Sequence, residues 1–109
     1  MEPVLLYITA PNREEAISIS KELVYKKFVA CTNIIENVTS VYMWQGELEQ
    51  NREVTIIAKT LNSKTQDTIK YIKSLHSYNC PAIIAVPIIS GNPEYLRWIQ
   101  QELTEHHPN

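Results

Sequence analysis

Apolar and polar positions alternate along the chain in blocks that predict seven elements. Val4 to Thr9 is a short, nearly continuous apolar run, the pattern of a central strand covered on both faces. Ala10-Pro11-Asn12 interrupts it. Asn12 then reads as an N-cap with Glu15 three residues on, as in a capping box. Ala16, Ile19, Leu23 and Val24 follow at helical spacing to about Lys26, with Glu14-Glu15 at the start and Lys26-Lys27 at the end, as the helix dipole favours. Val29 to Gln45 contains neither Gly nor Pro and is rich in β-branched and aromatic residues, so it predicts one long strand. Gly46 marks a turn, and Val54 to Thr60 runs back. Ser63 and Gln66 suggest a second capped helix whose face is Thr65, Ile69, Ile72 and Leu75 or His76. Ser77 to Pro81 is a loop, and Ala82 to Ile89 is an apolar strand in which Pro87 points to an edge or a bulge. Asn92 caps a last helix with Pro93 at its first position; Tyr95, Leu96, Ile99 and Leu103 form its buried stripe. Glu105 to Asn109 reads as a frayed tail.

The order strand, helix, strand, strand, helix, strand, helix is the ferredoxin-like α+β plan. It predicts a single domain over residues 1–109: a four-stranded antiparallel sheet, two helices on one face, a long protruding hairpin and an extra C-terminal helix. The hairpin is the unusual part. Sixteen-odd residues of strand span roughly 50 Å, whereas a domain of this length is only about 35 Å across. An arm that outruns its own core needs another surface to pack on, and a second copy of the chain is the simplest one. Tyr42 and Trp44 lie on one side of this arm, Val41 and Met43 on the other. Tyr42 and Trp44 read as subunit-interface anchors, with a ligand-stacking face as the alternative.

Composition narrows the function. A net charge of -2 lacks the basic footprint of a nucleic-acid binder. The third strand also lacks the aromatic pattern of an RNA-recognition module. The N-terminal apolar run is too short for a signal peptide or a membrane span, so the expectation is a cytoplasmic protein with no membrane contact. Cys31 and Cys80 stand alone and read as reduced thiols. Two glycines leave no room for a Gly-rich phosphate loop, and no nucleophile-base motif occurs, so no enzymatic activity is expected.

Five segments resemble one family in order and spacing: I-T-A-P-N at 8–12, V-A-C-T-N-I-I at 29–35, V-T-S-V-Y-M-W-Q-G at 38–46, H-S-Y-N-C-P at 76–81 and G-N-P-E-Y-L-R-W-I at 91–99. They are similar to CutA, the divalent-cation tolerance proteins. The resemblance implies a ferredoxin-like fold, a tightly packed homotrimer, a likeness to PII-type signalling proteins and a role in tolerance of copper or other divalent metals. Some members implicated in copper binding have Cys and His where this chain has Ile8 and Leu75, and the family acidic residue of the loop is replaced by Ala82. Ser77 stands where the family has Pro.

The candidate metal ligands are therefore His76 and Cys80, with copper or another divalent cation bound weakly. The plainer reading has His76 capping a helix and Cys80 filling space. Cys31 reads as core. Lys59, a lone lysine among apolar strand residues, pairs with Tyr78 as a candidate cleft for a small anionic ligand; the plainer reading is a lysine snorkelling from the strand end. His106 and His107 are weak ligands in the tail, and Glu47, Glu49 and Glu53 read as a solvated face of the arm. Three functions remain open: a metal-tolerance trimer, a PII-like sensor of an anionic molecule at a subunit cleft, and a trimeric adaptor for another protein.

Overall fold

The computed structural model describes residues 2–104; the tail with His106 and His107 lies outside them. Four strands and three helices follow in the predicted order. They are β1 (Pro3–Ala10), α1 (Arg13–Tyr25), β2 (Cys31–Trp44), β3 (Glu47–Leu61), α2 (Thr65–Leu75), β4 (Ile83–Pro87) and α3 (Pro93–Thr104). A single 3-10 turn, Asn62–Lys64, precedes α2. The sheet order is β2-β3-β1-β4, every pair antiparallel, so β2 and β4 are the edges. This is the ferredoxin-like arrangement. Pro87 sits on an edge strand, where its missing N–H costs no ladder bond.

The core fills the space between one sheet face and two helices. Val4, Leu6, Ile8 and Ala10 of β1 alternate inward beside Val54, Ile56 and Ala58 of β3. Ala16, Ile19 and Leu23 of α1 and Ile72 of α2 close over them. The Phe28 and Tyr71 rings stack at 4.7 Å at the rim. Asn12 caps α1 as expected, its side-chain oxygen accepting the Glu15 N–H at 2.8 Å. At the other end Lys27 takes a positive φ of 65°, and Phe28 N–H returns to the Leu23 carbonyl at 2.9 Å, a Schellman closure without glycine. Asn92 caps α3 by accepting the Glu94 N–H at 3.1 Å.

Three expectations need correction. The N-cap of α2 is Lys64, behind the 3-10 turn, rather than Ser63, and it makes no side-chain cap bond. Val24 stays partly exposed because the α1 stripe is completed by Ser20 instead. β1 is not covered on both faces: Leu5 and Tyr7 are only half-buried on the side away from α1 and α2. α3 packs on that second side at one end only, where Leu96, Ile99 and Leu103 meet Ala30 and Leu61.

The return strand is also longer than predicted, fifteen residues from Glu47. The polar run Glu47–Arg52 does not break it, because the edge strand β2 pairs with it to the tip. Gln45 and Gly46 form the two-residue turn with φ of 51° and 84°, the positive-φ pair that a tight hairpin of matching twist requires. The longest dimension is 51 Å. The radius of gyration, 14.9 Å, exceeds the roughly 13 Å of a compact chain of this length, and the arm accounts for the excess.

β2 carries an unpredicted β-bulge. Ile35 faces Thr55 and Val38 faces Glu53, so β2 has one residue more than its partner over that step. Asn37 absorbs it at φ 64°, a conformation that Asn tolerates better than most residues. The extra residue flips the alternation. Cys31, Asn33 and Ile35 lie on the helix-free face before the bulge, and Ser40, Tyr42 and Trp44 lie on that same face after it.

Candidate functional site

The bulge assembles a groove. Its walls are Tyr42 and Trp44 from the outer half of β2, Glu49 and Glu53 from β3, Thr9 from the end of β1, and Tyr78, Asn79, Cys80 and Ala82 from the loop before β4. The cavity measures about 540 Å³. Glu53 is its organising residue. The Ser40 hydroxyl donates to Glu53 Oε1 at 2.6 Å, and the Tyr78 hydroxyl donates to Oε2 at 2.8 Å. Two donors on two oxygens suit an ionised carboxylate, which only accepts. Asn51 Nδ2 donates to the Tyr42 hydroxyl at 2.5 Å and fixes the next ring along the arm. Burial, then the bond to Glu53, pushes the Tyr78 phenol above its usual range, so it stays a neutral donor.

His76 stands behind this groove, not in it. Its Nε2 lies 2.7 Å from the Thr9 carbonyl, and its Nδ1 accepts the Tyr78 N–H at 3.0 Å. A carbonyl can only accept and an amide N–H can only donate, so these partners suit the tautomer with its proton on Nε2. Glu15 Oε2 lies 3.5 Å from Nδ1 and accepts from Ser77 N–H and hydroxyl at 2.9 and 3.0 Å. The His76 side chain is fully buried and its ring packs against Tyr78 at 4.8 Å. Both nitrogens are thus committed, which argues against His76 as a metal ligand. His76 does end α2, its N–H returning to the Ile72 carbonyl at 2.9 Å, but its ring clamps the loop to the end of β1 and so aims Tyr78 at Glu53. Cys80 is exposed on the groove wall, not buried filler.

Lys59 and Tyr78 do not meet within the chain. Lys59 bonds to Asn33 Oδ1 on the neighbouring strand. It lies six residues from Glu53 on β3, about 20 Å along the strand. The groove that contains Tyr78 is lined by carboxylates, so the anionic-ligand pairing lacks a geometric basis in one chain. Tyr42 and Trp44, read as interface anchors, do line the groove, 40% and 57% exposed.

Glu53 is the residue that sequence reasoning missed. With Glu47 and Glu49 it reads as a solvated acid of the arm, yet it is half-buried between Ser40 and Tyr78. Glu36-Asn37, two adjacent polar residues inside a run rich in β-branched and aromatic residues, is the available signal for the bulge that brings Ser40 to it. Among the described residues, no group of three His, Cys, Asp or Glu side chains is placed to hold a metal ion.

A second polar pair sits at the opposite end of the same face. Cys31 Sγ and the Tyr95 hydroxyl are 3.2 Å apart, and Tyr95 stacks on Trp98 at 5.7 Å. Cys31 is therefore half-buried against α3 and not deep core.

The fold is a ferredoxin-like domain with an extended hairpin, and known proteins share it. Residues 4–102 match the family model of the CutA1 divalent ion tolerance protein, and the chain belongs to that family. The Thermus thermophilus divalent-cation tolerance protein CutA is 42% identical over 101 residues, 93% of this chain and 97% of its own length. A Xenopus laevis CutA homolog is also 42% identical over 93 residues, and there the chain spans only 62% of the relative's length. The crystal structure of CutA1 from Oryza sativa superposes with a TM-score of 0.93 at 32% identity, covering 97% of both chains.

Proposed function

We propose that this protein is a homotrimer that serves divalent-cation tolerance by recognising a cation in the groove, without catalysis, in the cytoplasm. The observation that carries the reading is the charge of the groove: among the described residues its charged side chains are Glu49 and Glu53, with no lysine or arginine in its walls. Such a lining attracts cations and repels anions. That favours a cation-responsive protein over a sensor of anionic metabolites. It also fits the family name better than an adaptor does.

Copper remains the natural divalent candidate, met by the Cys80 thiol at the groove wall with Glu49 or Glu53 beside it. With no third metal-binding side chain placed among the described residues, one or two donors leave the remaining positions to water, so binding is weak. His76, the only described imidazole, is already bonded at both nitrogens and does not serve as a general base either. Assembly is supported by apolar side chains that one chain leaves in water. Val41, Met43 and Leu48 on the back of the arm are 61%, 62% and 72% exposed, and Ile84 and Val86 lie open on the helix-free face. Patches of this kind mark interaction surfaces. The free thiols of Cys31 and Cys80 suit a reducing compartment.

The test is a competition titration with a copper chelator on untagged protein lacking residues 105–109. Weak stoichiometric binding that Cys80→Ser abolishes and His76→Asn leaves in place is expected. Tight binding that survives Cys80→Ser and Glu53→Gln overturns the groove as the cation site.

A further inference from the structure

We propose that the groove is a binding site for an alkylated ammonium cation. The proposal rests on the reading of the groove as a cation site and goes further by naming the ligand class. Three aromatic side chains, Tyr42, Trp44 and Tyr78, share its walls with Glu49 and Glu53. Aromatic faces attract weakly hydrated cations, tryptophan most strongly, and quaternary ammonium groups are bound by such cages. A volume of about 540 Å³ falls within the range of small-molecule sites.

Glu53 is held to supply charge rather than a ligand atom. Both oxygens of Glu53 already accept hydrogen bonds, from Ser40 and Tyr78. A hard divalent ion demands six or more oxygen donors around it, and the described residues contain no cluster of three metal-binding groups. An alkylammonium ion makes no such demand. Its charge is met through space by Glu49 and Glu53, and its alkyl groups are met by rings and by Ala82. The rings are held for this purpose. Asn51 bonds the Tyr42 hydroxyl, Glu53 bonds the Tyr78 hydroxyl, and His76 fixes the Tyr78 backbone. Trp44, more than half exposed near the hairpin tip, completes the aromatic wall.

The probe is tetramethylammonium, with tert-butanol as its neutral counterpart. The chain has two tryptophans, so Trp98→Phe leaves Trp44 as the only indole reporter. Saturable quenching of Trp44 by tetramethylammonium and none by tert-butanol is expected. By calorimetry, Trp44→Leu and Glu53→Gln each weaken binding roughly tenfold. Equal binding of tert-butanol, or affinity that neither substitution changes, overturns the proposal. Copper binding that depends on Cys80, with no saturable ammonium binding, overturns the ligand class and leaves the cation reading of the groove intact. Binding of neither removes both. Lys59→Ala supplies a last arm: tetramethylammonium binding that appears only in this variant means that the lysine of a second copy fills the groove, and the free-ligand proposal falls.

Discussion

The two halves of the β2–β3 ribbon are built from similar residues and held by different things. In the body, Val54, Ile56 and Ala58 bury their side chains under α1 and α2, and the chain supplies every contact. In the arm, Val41, Met43 and Leu48 present equivalent apolar surface to water. β-Propensity is a statement about fitting a half-buried pleated surface, and in the arm that burial must come from outside the chain. The bulge at Asn37 divides the two regimes. It lets the body keep its helix-facing alternation while the arm turns Tyr42 and Trp44 onto the helix-free side. In the proposed homotrimer the arm's stability and the groove's completeness depend on neighbouring copies, and the body's do not.

The comparison breaks first, and furthest, on the back of the arm. Met43 and Leu48 face each other across the ribbon. Met43→Lys with Leu48→Glu places opposite charges on directly opposed positions, which a hairpin tolerates, while removing the apolar contact. Light scattering during size exclusion should fall from about three chain masses to one, with circular dichroism retained. A mass that stays at three would show that the arm's apolar face makes no subunit contact.

The body responds to core truncation instead. Ile56 is fully buried in the centre of the sheet. Ile56→Ala should cost roughly 2–5 kcal/mol, from lost transfer energy plus the cavity. Urea unfolding of the monomeric arm variant measures this without the complication of assembly. A cost below about 1 kcal/mol, the scale of an Ile→Val change at a core site, would mean that the core is not where the fold's stability resides.

His76 clamps the loop that walls the groove where arm and body meet. Its ring satisfies a carbonyl on β1 and an amide in the loop at once. His76→Ala leaves both groups without that partner, and each unsatisfied buried group costs about 1–3 kcal/mol. Urea titration should show that loss, and Trp44 fluorescence should show loosened groove walls. If copper affinity disappears while stability is unchanged, His76 is a ligand after all and the clamp is misread.

Much of this was legible in the sequence. Element order, the ferredoxin-like plan, the turn at Gly46 and the caps at Asn12 and Asn92 follow from local chemistry: positive φ at glycine, oxygen acceptors at helix starts, proline at a first turn. What was not legible depends on register. Which face Tyr42 and Trp44 occupy is set by one extra residue at Asn37, and a single-residue slip reverses every side chain beyond it. Glu53 reads as an ordinary surface acid until that register brings Ser40 beside it. His76 reads as a ligand until the fold places the Thr9 carbonyl against its ring.

The finest distinction between the two ends of the helix-free face is a titration. Each end holds a tyrosine whose phenol is harder to ionise than usual, for different reasons. At the groove, burial comes first and the Glu53 bond second, and Tyr78 is pushed up. At the α3 end the bond to Cys31 comes first, then burial, then the charge on that sulfur, and Tyr95 is pushed up to about 12. An unperturbed tyrosine ionises near pH 10. A phenol whose folded pKa lies above its unfolded one holds its proton more tightly when folded. Its contribution to stability is complete below about pH 10 and is lost as pH rises toward 12. Cys31→Ala removes the leading cause at one end and leaves the other untouched. Phenolate absorbance should then show one tyrosine moving back toward pH 10 while another remains late, and Tyr95→Phe should delete the moving component. If Cys31→Ala leaves the titration curve unchanged, the thiol is not what holds the Tyr95 proton, and the two ends of the face do not differ in the way described.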